Sequence, residues 1–217
     1  MQKKPAPKVP VHRPPPPKQV RIIGGEWKRS QLPVLDALGL RPTPDRVRET
    51  VFNWISHLWE HEWQAARVLD LFAGSGALGF EAASRGAESV TLVDSHPQVV
   101  RLLGEIKDKL HADKVTVQRG DALAVAGSLG ARGARFDLVF LDPPYQQDLL
   151  SKSLPLCLSM MNDEGLVYAE SGTPLPFPED GDAGAASTPA WLAPWFPVRQ
   201  DKAGMVFYYL LQLRAAA

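Results

Sequence analysis

Arg67-Val68-Leu69-Asp70-Leu71-Phe72-Ala73-Gly74-Ser75-Gly76-Ala77-Leu78-Gly79 passes from a short apolar run, through two closely spaced glycines, into a segment of helix formers. Arg67–Phe72 predicts a strand and Ala77–Arg85 a helix. The same alternation continues downstream. Ser89–Val93 predicts a strand, Pro97–His111 a helix with proline in its first turn, Val115–Gln118 a strand, and 122–129 a helix. Phe136–Leu141 is too short for a helix and rich in β-formers, so it predicts a buried parallel strand. Gln147–Met160 predicts a helix despite Pro155, and Leu166–Glu170 a strand. Val198–Gln200 and Val206–Leu213 predict a closing β-hairpin around Ala203-Gly204. Seven strands interleaved with helices at this spacing predict an α/β fold, a parallel Rossmann-like sheet with helices on both faces.

Composition bounds what such a chain does. Its 217 residues, 45% hydrophobic and 22% charged, are those of a soluble globular protein with room for one domain and extensions. No stretch approaches the ~20 apolar residues of a membrane span, and no apolar h-region follows the N-terminal lysines, so the expectation is cytoplasmic. Cys157 is the only cysteine and the five histidines lack ligand spacing, which predicts no disulfide and no metal. The net charge of zero hides an asymmetry. Residues 1–50 carry eleven lysines and arginines against four acids, a surplus of seven cations balanced by seven net anions in 51–217. A basic quarter on an acidic body suits a polyanion held by one part of the molecule.

Residues 1–19 hold seven prolines and almost no large apolar side chains, so this tail predicts disorder or polyproline. Residues 172–190 predict a long surface loop. Residues 20–62 read as a separate, polyanion-facing extension with a helix, before a body at 63–217. In the extension, Arg21–Lys28 predicts a short strand and turn. A helix follows, with Thr43 as N-cap, Pro44 at its first position, and Val47, Val51, Trp54, Ile55 and Leu58 along one apolar stripe. Arg46 and Arg48 fall off that stripe, where they can meet solvent, an acidic neighbour or a phosphate. Arg21, Lys28, Arg29, Arg41, Arg46 and Arg48 form the candidate phosphate-contacting group.

Two segments carry chemistry. Asp142-Pro143-Pro144-Tyr145 ends the strand 136–141, at the sheet edge where open α/β folds bind ligands. Neither proline donates to a ladder, and both stiffen the loop. An acidic acceptor, fixed carbonyls and an aromatic face suit a planar ring bearing an exocyclic NH2. The second segment is the glycine turn. Phe72, Ala73, Gly74, Ser75 and Gly76 form a backbone surface suited to an anionic group, and Gly74, Gly76 and Gly79 also match a dinucleotide pattern. Asp94, followed by Ser95, ends the next strand and suits a ribose diol. Asp70 suits an ammonium, which a nicotinamide dinucleotide does not offer there. Asp121, followed by Ala122, suits an adenine amine. The ordered set fits an S-adenosylmethionine-dependent methyltransferase better than a nicotinamide oxidoreductase.

With these residues in view, the chain resembles the bacterial RsmD family of small-subunit ribosomal RNA guanine-N2 methyltransferases. The matching stretches are Arg21–Gly25, Leu40–Trp54, Asp70–Glu81, Asp142–Tyr145, Tyr168-Ala169-Glu170 and the C-terminal hairpin, within residues 20–215. The resemblance implies a class I methyltransferase sheet of seven strands with the last antiparallel, S-adenosylmethionine as cofactor, and a monomer. It further implies methyl transfer to N2 of a guanine in 16S ribosomal RNA, within a partly assembled small subunit. Asp142 and the Pro143 carbonyl would then accept the two amine protons while Tyr145 stacks on the base. Two features depart from the family pattern: the long tail and loop, and His96, where a second acid is often found. Rival readings are methylation of an adenine N6 or another guanine in DNA or other RNA, and a non-catalytic RNA-binding assembly factor.

Overall fold

The computed structural model describes residues 19–35, 43–144, 148–177 and 188–214. Most of the tail at 1–19, part of the loop at 172–190, Arg41 and Tyr145 lie outside these. Two short strands come first, β1 (Gln19–Arg21) and β2 (Gln31–Pro33), paired antiparallel, and then α1 (Asp45–Leu58). The body follows as β3 (Arg67–Asp70), α2 (Ala77–Ser84), β4 (Ser89–Asp94), α3 (Pro97–Leu110), β5 (Val115–Arg119), α4 (Ala122–Ala131) and β6 (Phe136–Leu141). It closes with α5 (Leu150–Cys157), β7 (Met161–Ser171), β8 (Trp195–Ala203) and β9 (Val206–Leu213).

β3 to β9 form one seven-stranded sheet in the order β5-β4-β3-β6-β7-β9-β8. The five strands from β5 to β7 are parallel, and β9, the last in sequence, runs antiparallel between β7 and β8. This is the expected Rossmann-like α/β sheet with its last strand antiparallel. The order reverses between β3 and β6, which makes the crevice beyond their C-terminal ends the topological switch point. Alternation along the buried strands supplies both faces. Leu138 and Phe140 of β6 enter one core cluster, Val139 and Leu141 the other. Among the described residues no helix is long and apolar enough to cross a membrane.

The extension that reads as a separate unit shares the first of these cores. Val20, Ile22, Leu32, Val47, Val51, Phe52 and Ile55 are buried together with Val68, Phe80 and Phe140 of the body. Phe52 lies 5.8 Å from both Trp63 and Phe140, and Trp54 stacks on Tyr208 at 5.5 Å. Two expectations about α1 need correcting. Pro44, not Thr43, is the N-cap, and it offers no side-chain cap bond. Arg48 is fully buried, because the inner face of α1 is wide enough to include Val47, Arg48, Val51, Phe52, Ile55 and Ser56. Its guanidinium donates to Asp45 Oδ1 at 2.6 Å, to the Arg21 carbonyl at 3.0 Å and to the Thr43 carbonyl at 3.3 Å. Arg48 therefore braces the extension from within and is withdrawn from any phosphate.

The turn after β1 is pinned to the end of α2. Gly25 has φ +74°, and a Cβ there would sit 1.8 Å from the Ser84 carbonyl oxygen. The Glu26 amide donates to that same oxygen at 2.7 Å. Gly25→Ala is expected to lower unfolding free energy by about 3 kcal/mol, since it adds a left-handed β-carbon against backbone. Thermal unfolding checks this, and an unchanged midpoint would mean the turn does not rest on α2.

Candidate active site

Five neighbouring parallel strands each deliver one acid to the same edge of the sheet. In spatial order these are Asp121 after β5, Asp94 at the end of β4, Asp70 at the end of β3, Asp142 just after β6, and Glu170 near the end of β7. Parallel register aligns the strand ends, with Asp70 opposite Phe140 and Leu141 opposite Ala169. So many carboxylates at one edge oppose folding, and their placement at the switch point marks a ligand site.

Asp70 is buried, and its Oδ2 accepts from the Gly79 amide at 3.2 Å. Its Oδ1 is also buried and has no hydrogen-bond partner among the described residues. Burial pushes its carboxyl up to about 7, with the Phe72 and Gly79 amides pulling it down and Asp94 adding to the rise. An orphaned anionic oxygen of this kind fits a cationic ligand group. Asp94 accepts from the Gly74 amide at 3.1 Å through Oδ2 and from the His96 amide at 2.8 Å through Oδ1, so the glycine turn and the next loop both fix it. Gly76, at φ +75°, caps α2, and a Cβ there would strike Phe80 and Leu103. Ala73 and Ser75 are buried in the turn, and half-buried Phe72 packs on the second core. Ser95 is exposed.

His96 turns out to be a helix cap, with Nδ1 accepting from the Gln98 amide at 3.3 Å. Asp121 caps α4 in the same way, through the Ala124 amide at 2.9 Å, and remains exposed while Ala122 is buried. Glu81 lies in the middle of α2. Fully buried, it accepts from the Ile23 amide at 2.6 Å, the Gly24 amide at 2.8 Å and Arg85 Nε at 2.8 Å. It clasps the extension to α2.

On the other side of the switch point, Asp142 is half-buried, Pro143 buried and Pro144 exposed. A cavity of about 380 Å³ borders Pro143, Pro144, Leu149, Glu170 and Ser171. Sequence reasoning passed over two residues here. Glu170 is buried, and its Oε1 accepts from Tyr168 Oη at 2.6 Å and from Thr43 Oγ1 at 2.8 Å. Thr43 Oγ1 also lies 3.3 Å from Asp142 Oδ2. Burial, followed by repulsion from Glu170 and Asp70, holds the Asp142 carboxyl well above the usual carboxylate range. The Tyr-x-Glu spacing, which puts both side chains on one strand face, was the available signal for Glu170.

Of the basic group, Arg21, Lys28 and Arg29 border one cavity of about 250 Å³ together with Asp45 and Glu49. Arg21 Nε donates to Asp45 at 2.8 Å, and Arg46 is exposed on α1.

The family described as Conserved hypothetical protein 95 matches residues 20–186. A protein of Escherichia coli strain K12 named ribosomal RNA small subunit methyltransferase D is 39% identical over 91% of each chain. One of the same name from Haemophilus influenzae is 34% identical over 89% of this chain and 94% of its own. A solved Escherichia coli structure, 38% identical, superimposes with a TM-score of 0.75 over 91% of this chain and 99% of its own.

Proposed function

The chain belongs to the Conserved hypothetical protein 95 family, and from that membership and the row of acids we propose that it is an S-adenosylmethionine-dependent methyltransferase of 16S ribosomal RNA, acting on the exocyclic N2 of one guanine. Asp70 would hold the amino group of the cofactor, the turn from Ala73 to Gly76 its amino-acid portion, and Asp94 its ribose. Bound there, S-adenosylmethionine supplies the methyl group, and its sulfur keeps the electron pair of the broken bond.

Everything else falls to side chains of this protein. Asp142 accepts an N–H of the amine, which aligns the nitrogen lone pair and stabilises the positive charge growing on it. The proton displaced from N2 then passes to Asp142. Rigid Pro143 holds its carbonyl as a second acceptor, and Tyr145 offers a stacking face. The observation that carries guanine is the second carboxylate, Glu170, on the wall of the cavity beside Pro143. Guanine places the N1–H donor next to its amine, whereas adenine places a lone pair there, which the acceptor oxygens of two neighbouring carboxyls repel. Arg21, Lys28, Arg29 and Arg46 offer the phosphate contacts, and the partner is a partly assembled small subunit in the cytoplasm.

The test is mass spectrometry of 16S RNA from a strain lacking the gene. Loss of a single N2-methylguanosine, restored by the gene, is the expected result; an unchanged set of modified nucleotides refutes the proposal.

Cofactor binding carries its own signature. The ammonium engages ionised Asp70, whose carboxyl titrates at about 7, so binding below that pH expels a proton. Calorimetry at pH 6 in buffers of different ionisation enthalpy should show about one proton released, with affinity falling roughly tenfold per unit further down. Asp70→Asn should abolish this linkage. Without cofactor the raised value makes Asp70 oppose the fold. Its contribution to stability is full below the ordinary aspartate range and is lost as pH rises through about 7.

A further inference from the structure

Methyl transfer uses Asp142 and guanine recognition uses Glu170, but neither accounts for the single hydroxyl that contacts both carboxyls. Thr43 Oγ1 is 2.8 Å from Glu170 Oε1 and 3.3 Å from Asp142 Oδ2. A hydroxyl has one proton to donate and lone pairs to accept with. The shorter contact takes the proton, and Tyr168 Oη donates to the same Oε1 at 2.6 Å. Two hydroxyl donors occupy the lone pairs of that one oxygen. Thr43 then turns a lone pair toward Asp142 Oδ2, a contact that is attractive only if Oδ2 carries a proton. Two neighbouring carboxyls, Glu170 buried and Asp142 half-buried, that share a single proton satisfy both contacts.

Thr43 itself is anchored. Its carbonyl accepts from buried Arg48, which is bonded in turn to Asp45 and to the Arg21 carbonyl. The hydroxyl between the carboxylates therefore belongs to the same rigid extension that borders the basic cavity.

We infer that Thr43 and Glu170 are positioning residues that keep one proton on Asp142 at rest and draw it toward Glu170, through the Thr43 hydroxyl, when the amine arrives. In that step the Oδ2–H bond of Asp142 breaks, Thr43 Oγ1 gains that proton, and its own proton passes to Glu170 Oε1. The pair keeps a single negative charge, and Asp142 meets the amine as a carboxylate. After methyl transfer Asp142 takes the proton from N2, the pair becomes neutral, and water removes one proton as product leaves. Among the described residues, Tyr168 on β7 and Asp70 on β3 are titratable groups that face the pair. This inference rests on the methyl-transfer reading.

The test is a single-turnover pH–rate profile on small subunits for wild type, Thr43→Val and Thr43→Ser. Thr43→Val should slow the reaction at neutral pH about 100-fold, the lower end of the range for a positioned proton transfer, and move the acid limb of the profile. Thr43→Ser should restore the rate to within about threefold and return the limb, because the hydroxyl is kept. A valine variant with the wild-type rate and profile overturns the inference, and so does a serine variant as slow as valine. Carbon-13 carboxyl NMR of the wild-type protein needs no variant and no activity. Asp142 should titrate well above the ordinary aspartate value of about 3.9; an Asp142 carboxyl that titrates at the ordinary value overturns the inference. Wild type that methylates no ribosomal RNA removes the methyl-transfer reading, while the NMR titration still decides where the proton sits.

Discussion

Asp142→Ala should reduce single-turnover methylation of the small subunit by about a thousandfold, roughly 4 kcal/mol in the barrier, with cofactor affinity changed less than threefold. The loss combines the acceptor that aligns the amine with the group that takes its proton. The cofactor residues lie across the switch point on β3 and β4, which is why their affinity is spared. Asp142→Asn keeps an acceptor oxygen without the base and should fall between, near a hundredfold. Stability should move the other way. The Asp142 carboxyl is raised by burial and by Glu170, so its contribution is full below the ordinary aspartate range and is lost as pH rises. Asp142→Asn removes that loss and should raise the thermal midpoint at pH 8 by about 2–4 °C, as about 1 kcal/mol does in a chain of this size. A variant both slower and less stable would point to disrupted packing.

Glu81→Ala should destabilise the protein by about 3–5 kcal/mol, the range for stripping one partner from a buried charge pair. Its carboxylate serves Ile23, Gly24 and Arg85 at once, and alanine fills none of that volume. Arg85 also lies 5.0 Å over the Phe52 ring, so its release disturbs α1 from the other side. Denaturant unfolding measures the loss. Glu81→Gln, which keeps one acceptor and the volume, should cost about half as much. Protease nicking between β1 and α1, faster in Glu81→Ala than in Gln, would localise the damage to the extension.

The fold was legible because each strand and helix of the body carries its own period. β6 runs over Phe136–Leu141 as expected, and α2, α3 and β4 end within a residue of their predicted limits. β7 begins five residues early, at Met161, because pairing with β6 extends through polar 162–164 across a register irregularity that no local pattern announces. In the site, Asp70, Asp94 and Asp142 were legible, since an acid that closes an apolar strand has an obvious address. Thr43, Arg48 and Glu81 were not, for one shared reason. Capping rules and helical stripes describe an isolated element, whereas these three side chains satisfy atoms at long range. Thr43 reaches Glu170, 127 residues away, and Glu81 reaches Ile23, 58 residues away. Arg48 is the instructive case: an arginine beside an apolar stripe reads as solvated, yet Asp45 three residues earlier and two backbone carbonyls make its burial tolerable.

The antiparallel strand β9 also sets an order of assembly. It lies between β7 and β8, both of which precede it in the chain. Until residues 206–213 are made, the eleven-residue β7 has an open edge, and β8 lacks β9, the strand it pairs with. Leu166, Val167, Tyr168 and Ala169 on that edge strand are the kind of apolar run that recruits a second chain. The nascent protein is therefore most prone to aggregate in the interval between β7 and β9, and a chaperone that covers the β7 edge would raise its yield more than one that shields the glycine turn.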